Sequence, residues 1–149
     1  MRPTKLQSAM ATAEIAALNS HDLETKVGAV LVKESSGAII ATGYNGFVRS
    51  APDGDLPNTR PDKYPYMMHA EVNLIANCAR HGIAMEGSFL VCTHTPCQSC
   101  MRQLYQAGIT RVIAKNKYRD FEQLTQMQDL RVLEYVTDVE DYVELLCWY

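Results

Sequence analysis

Residues 69–100 read HAEVNLIANCARHGIAMEGSFLVCTHTPCQSC, and the fold turns on how this stretch divides. From Glu71 to Arg80, Val72, Ile75, Ala76 and Ala79 recur at helical spacing, and Gly82 after His81 is the residue type that closes a helix. Ser88 to Thr93 is an apolar run of strand length. Pro96 then opens a second helix over Cys97 to Ala107, closed by Gly108. Helix, strand, helix in this order is the unit of an α/β fold. Its two ends carry His69 and the pair Cys97 and Cys100. One imidazole and two thiolates suit zinc, and three protein ligands leave a fourth tetrahedral position open for water. Glu71 lies two residues from His69, close enough to act as general acid/base on whatever the metal binds.

Upstream, Leu6, Ala9, Met10, Ala13, Ala17 and Leu18 mark one face of a helix between Thr4 and Asn19. Val27 to Lys33 and Ile39 to Tyr44 flank a turn at Ser35, Ser36 and Gly37. They form a hairpin whose first strand, almost continuously apolar, is buried on both faces. Asn45 to Tyr66 has no sustained period and contains Gly46, Pro52, Gly54, Pro57, Pro61 and Pro65. A loop this long in a compact domain is usually functional, and it leads straight into His69, which assigns it a substrate-covering role. Downstream come a strand at Arg111 to Lys115, a helix at Phe121 to Leu130, a strand at Arg131 to Val136 and a helix at Val139 to Leu146. Residues 1–149 are therefore predicted as one α/β domain, a three-layer αβα sandwich on a mixed five-stranded sheet, with the second and third helices on the same side.

A net charge of −3 over 149 residues provides no overall basic field for a nucleic-acid backbone. A small anionic substrate would need a local positive patch instead. The first residues lack an uninterrupted apolar segment of the length that a signal peptide or membrane span requires, so a cytoplasmic protein without membrane or nucleic-acid partners is expected. Five cysteines in a reducing compartment fit metal binding and core packing better than disulfides, and Cys78, Cys92 and Cys147 are assigned to the core. A closed structural zinc site would need a fourth protein ligand, for which His94 and Cys92 are the nearest in sequence.

H-x-E followed by P-C-x-x-C is the signature of the zinc-dependent nucleobase deaminases. In such a site Glu71 accepts a proton from water, passes it to a ring nitrogen and finally to departing ammonia. The backbone N–H of Ala70 and the carbonyl of Thr95, each beside a metal ligand, are candidate contacts to the base edge. The likeness goes further, because TKVGAVLV from Thr25, ATGYNG from Ala41, KYPYMMHAE from Lys63, EGSFLVCTHTPCQSC from Glu86 and QAGITRVI from Gln106 resemble the deoxycytidylate (dCMP) deaminases.

That resemblance implies a cytidine deaminase-like fold and hydrolysis of dCMP to dUMP and ammonia, supplying dUMP for thymidylate synthesis. It implies one catalytic Zn²⁺ per chain on His69, Cys97 and Cys100, and a homo-oligomer, often a hexamer in the family. It also implies Asn45 as a nucleoside contact and Tyr118 as a wall of the pocket. For the phosphate, Thr25 and Lys26 are the first choice, with Arg119, Lys117 and Arg102 as alternatives. In many members dCTP activates and dTTP inhibits, with Mg²⁺ accompanying the regulatory nucleotide, at a site near GYNG, here Gly43, Tyr44, Asn45 and Gly46. The sequence departs from the family at Phe47, Val48 and Arg49, where a small residue or proline is more usual. Between Asn45 and Tyr66 it also lacks the cysteine or histidine that a second, structural zinc would need. Competing readings are deamination of dCTP, cytidine or adenosine in transfer RNA, and a silent zinc-binding nucleotide sensor, against which the intact Glu71 stands.

Overall fold

The computed structural model describes residues 1–136 and 141–147. Its elements are α1 (Lys5–Ala17), β1 (Gly28–Lys33), β2 (Ile39–Tyr44), α2 (Ala70–His81), β3 (Ser88–His94), α3 (Gln98–Gln106), β4 (Arg111–Asn116), α4 (Phe121–Thr125), β5 (Leu130–Val136) and β6 (Asp141–Cys147). Thr4 caps α1, its hydroxyl accepting from Gln7 N while the Gln7 side chain accepts from Thr4 N. Gly82, at φ 68°, ends α2 in the left-handed conformation that the sequence predicts.

One mixed sheet carries the strands in the order β2-β1-β3-β4-β6-β5, with β3 and β4 parallel and the other pairs antiparallel. Helix α1 covers one face, where Ala9, Met10 and Ala13 meet Val30, Val32 and Val91. Helices α2 to α4 share the other, where Leu74, Met101, Leu104 and Leu124 meet Ala29, Leu31, Leu90 and Val112. The predicted burial of β1 on both faces and the common side of the second and third helices are both found. Three layers result.

Two expectations are corrected. The sheet has six strands rather than five, because Asp141–Cys147, read as part of a helix over Val139 to Leu146, is strand β6. Val139 itself lies outside the described residues. Tyr142, Val143 and Leu146 can sit on a helical stripe, but β4 needs partners for the edge facing away from β3, and β6 supplies them from Arg111↔Leu146 to Ala114↔Val143. Non-local pairing thus overrides local period. The predicted helix from Phe121 to Leu130 also stops at Thr125, since Leu130 already pairs with Cys147 in β5. None of the described helices is long and apolar enough to cross a membrane.

Two glycines let helices lie directly on the sheet. A Cβ on Gly28 would stand 1.9 Å from Ala13 O in α1, and one on Gly43 would stand 2.7 Å from Ala70 O and 2.8 Å from Leu74 N in α2. Gly43 is therefore a packing residue at the start of the helix that carries Glu71. Gly43→Ala is expected to lower stability by about 1–3 kcal/mol, the usual range for overpacking, read from the urea midpoint. An unchanged midpoint would show that α2 does not rest on Gly43.

Candidate functional site

His69 and Cys97 are the N-caps of α2 and α3, so two helix N-termini converge where the sequence places the metal. His69 makes no capping hydrogen bond with its side chain, which leaves Nδ1 free to face the cysteines. It lies 3.7 Å from Cys97 Sγ and 3.3 Å from Cys100 Sγ, and the three donor atoms fall within 4.8 Å of one another. Ligands about 2.3 Å (sulfur) and 2.0 Å (nitrogen) from a tetrahedral zinc stand roughly 3.5–3.8 Å apart, so this donor set fits that ion. Among the described residues neither His94 nor Cys92 joins it. His94 Nδ1 is 2.8 Å from Thr93 Oγ1, and the buried Cys92 thiol, pushed up by desolvation, donates to His94 O. The set stays at three.

Proton affinities divide sharply inside the cluster. The Cys97 thiol is lowered to about 4, chiefly because the Cys100 thiol donates to it, against the cost of burial and with help from His69. A helix N-terminus favours the same anion. Cys100 moves up because it is the donor of that shared proton. His69 moves up through its hydrogen bond to Cys97. Glu71, only 3% exposed, is raised mainly by burial, which suits a carboxyl group that must hold a proton during a reaction.

The cluster opens into a cavity of about 480 Å³. Ala70, Glu71 and Thr95 line it beside His69 and Cys97, and Thr25, Asn45, Arg60, Tyr118 and Arg119 line it elsewhere. Most of the predicted contacts are thus gathered on one cavity. Lys26 is exposed and is not among the lining residues. Arg102 pairs with Asp129, and Lys117 lies over the Phe121 ring, so neither lines the cavity. Both N–H bonds of the Asn45 amide are already engaged, on Asp22 Oδ2 and Thr25 O, while its oxygen accepts from Val27 N. Asn45 therefore shapes the 22–27 segment, leaving one oxygen lone pair for a ligand. Of the GYNG residues, Tyr44 and Gly46 line a separate cavity of about 610 Å³ with Arg49, Asn77 and Arg80.

Arg60 is the residue that sequence reading missed. Its Nη2 donates to Tyr118 OH at 2.7 Å and to Thr25 Oγ1 at 3.1 Å. Tyr118 in turn packs edge-on against His94, and its N–H donates to Thr95 Oγ1. The only sequence signal was a cation within the loop assigned to cover the substrate. That loop is held by Lys63, whose ammonium is buried against Asp22 at 2.8 Å, and by Asn58, which bonds His21 O and Leu23 N.

A profile of the family described as the cytidine and deoxycytidylate deaminase zinc-binding region matches residues 3–116. The chain is 37% identical over 123 residues to a probable deoxycytidylate deaminase of Drosophila melanogaster, covering 74% of this chain and only 59% of that protein. It is 36% identical over 135 residues to the deoxycytidylate deaminase of Mus musculus, covering 86% and 74%. A crystal structure of dCMP deaminase from the cyanophage S-TIM5 in complex with dCMP and dUMP superposes with a TM-score of 0.70 at 34% identity, covering 86% of this chain and 93% of that one.

Two outcomes follow from the site. Asp22→Asn leaves buried Lys63 with Glu24 as its one remaining carboxylate partner and is expected to cost about 1–3 kcal/mol of stability in urea denaturation. Asp22→Asn combined with Lys63→Met should recover part of the loss; no recovery would mean that the pair is not what holds the loop. Zinc binding must displace protons that His69 and Cys100 hold more tightly than usual. Lower pH strengthens that competition, so affinity should fall by roughly tenfold to a hundredfold per pH unit between pH 8 and pH 6, measured against a chromophoric chelator. Affinity independent of pH would rule out this ligand set.

Proposed function

Because the chain belongs to the cytidine and deoxycytidylate deaminase family, we propose that it hydrolyses dCMP to dUMP and ammonia on a zinc ion held by His69, Cys97 and Cys100. The observation that carries this reading is the make-up of the cavity. A buried carboxyl group stands beside a three-ligand metal set, and Arg60, Thr25, Tyr118 and Arg119 line the same space. The first group suits hydrolysis of an amidine carbon, and the second suits a phosphate. When bound, zinc supplies a Lewis acid that brings water toward deprotonation near neutral pH.

Glu71 accepts the proton that water loses as its oxygen bonds to the carbon bearing the exocyclic amine. It then delivers that proton to the ring nitrogen, and as the carbon–nitrogen bond breaks it carries the second proton to the leaving amine. Water and dCMP thereby become dUMP and ammonia with no proton left over. The N–H of Ala70 is at the first turn of α2, where no intrahelical carbonyl reaches it, so it can donate to the base while the Thr95 carbonyl accepts from it. Arg60 brings a guanidinium charge to the cavity wall, suited to a phosphate, and its Nε is buried without a protein partner. The dUMP formed would feed thymidylate synthesis. We assign regulation by dCTP and dTTP to the second cavity, beside Tyr44 and Gly46.

Ammonia release from dCMP, dCTP, deoxycytidine and cytidine tests the proposal, with dCMP expected to be turned over fastest. Glu71→Gln should lower kcat by about 10²- to 10⁴-fold while zinc content is kept. Arg60→Ala should raise KM for dCMP by roughly tenfold or more and leave deoxycytidine nearly unaffected. Equal loss on both substrates would remove Arg60 from the phosphate.

A further inference from the structure

We infer that Glu24 is a specificity-determining residue that restricts the cavity to nucleoside monophosphates and disfavours di- and triphosphates. This rests on the dCMP reading above and says which members of the cytosine nucleotide series the site rejects, and why. Arg60 reaches Glu24 twice, through its backbone N–H to Oε1 at 2.7 Å and through Nη1 to Oε2 at 3.4 Å. Lys63 Nζ lies 3.2 Å from Glu24 Oε1 as well as on Asp22. Of the cations lining the cavity, Lys63 is thus neutralised by two carboxylates and Arg60 is shared with one. Arg119 lies over the rings of Tyr64 and Tyr118.

A 5′-monoester phosphate carries nearly two negative charges at neutral pH and meets Arg60 and Arg119, the two lining cations not held between two carboxylates. Each added phosphoryl group brings further negative charge but finds no further cation among the described lining residues. What stands behind Arg60 and Lys63 is the carboxylate of Glu24, an exposed residue just outside the cavity lining, whose charge acts on that added group. The carboxylate does two opposing things. It fixes Arg60 for one phosphoryl group, and it repels the next.

The test is kcat/KM for deoxycytidine, dCMP, dCDP and dCTP with the zinc-loaded wild-type protein, Glu24→Gln and Glu24→Lys. Wild type should fall stepwise from dCMP to dCDP to dCTP. Glu24→Gln keeps an oxygen for the Arg60 N–H and should raise the dCTP to dCMP ratio about tenfold, through KM, as expected for removing one partly screened charge. Glu24→Lys should raise it further, with deoxycytidine nearly unmoved in both. A ratio that stays the same or falls in both variants, or an equal loss on all four compounds, would overturn the inference and mark Glu24 as a structural tie only. Wild-type turnover of dCMP no better than deoxycytidine would refute the monophosphate reading itself, a failure visible before any variant is made.

Discussion

The carboxylate of Asp22 is buried and accepts from Glu24 N, Thr25 N, Asn45 Nδ2 and Lys63 Nζ. An isolated charge could not remain there, and the four donors come from three separate segments of chain. Satisfying it therefore joins the 22–25 turn, the end of β2 and the long loop before His69 into one unit. Thr25, Asn45 and Arg60 reach a common cavity because that unit exists. Such a pair adds little net stability compared with apolar packing, but it leaves few alternative arrangements for a proline-rich loop that has no secondary structure of its own.

The metal donors depend on a different constraint. α2 and α3 lie on one face of the sheet and present their N-termini to the same point, so His69 and Cys97 meet although 28 residues separate them. The positive ends of both helices face the thiolates. That field favours the Cys97 anion, while burial holds Glu71 toward its neutral form, so the thiol is pushed down and the carboxyl group up.

The parts legible in the sequence were those written in local spacing. His69 with Glu71, and Cys97 with Cys100, each belong to one turn of chain, and the alternation of α2, β3 and α3 is strongly patterned. What escaped was decided at long range. Asp141–Cys147 has enough helical period to read as a helix, and only the unpaired edge of β4, some 30 residues earlier, makes it a strand. Arg60 sits in a segment without period, so nothing local separated it from a solvated arginine, while Lys26 was favoured by its neighbours although it faces solvent. Asn45 was read as a nucleoside contact from the resemblance of GYNG, its amide being able to donate and accept at once. The same versatility holds together the segment around it.

The strand order β4-β6-β5 also constrains how the chain can be made. β4 is synthesised before the strand that covers its outer edge, and β5, which emerges next, pairs with β6 instead. During elongation at about 5–20 residues per second, β4 therefore leaves the ribosome with one row of backbone groups open until β6 arrives and the β5–β6 hairpin docks as a unit. The metal and cavity residues have all been translated by then. The strand that covers the outer edge of β4 is the last of the described sheet to be made.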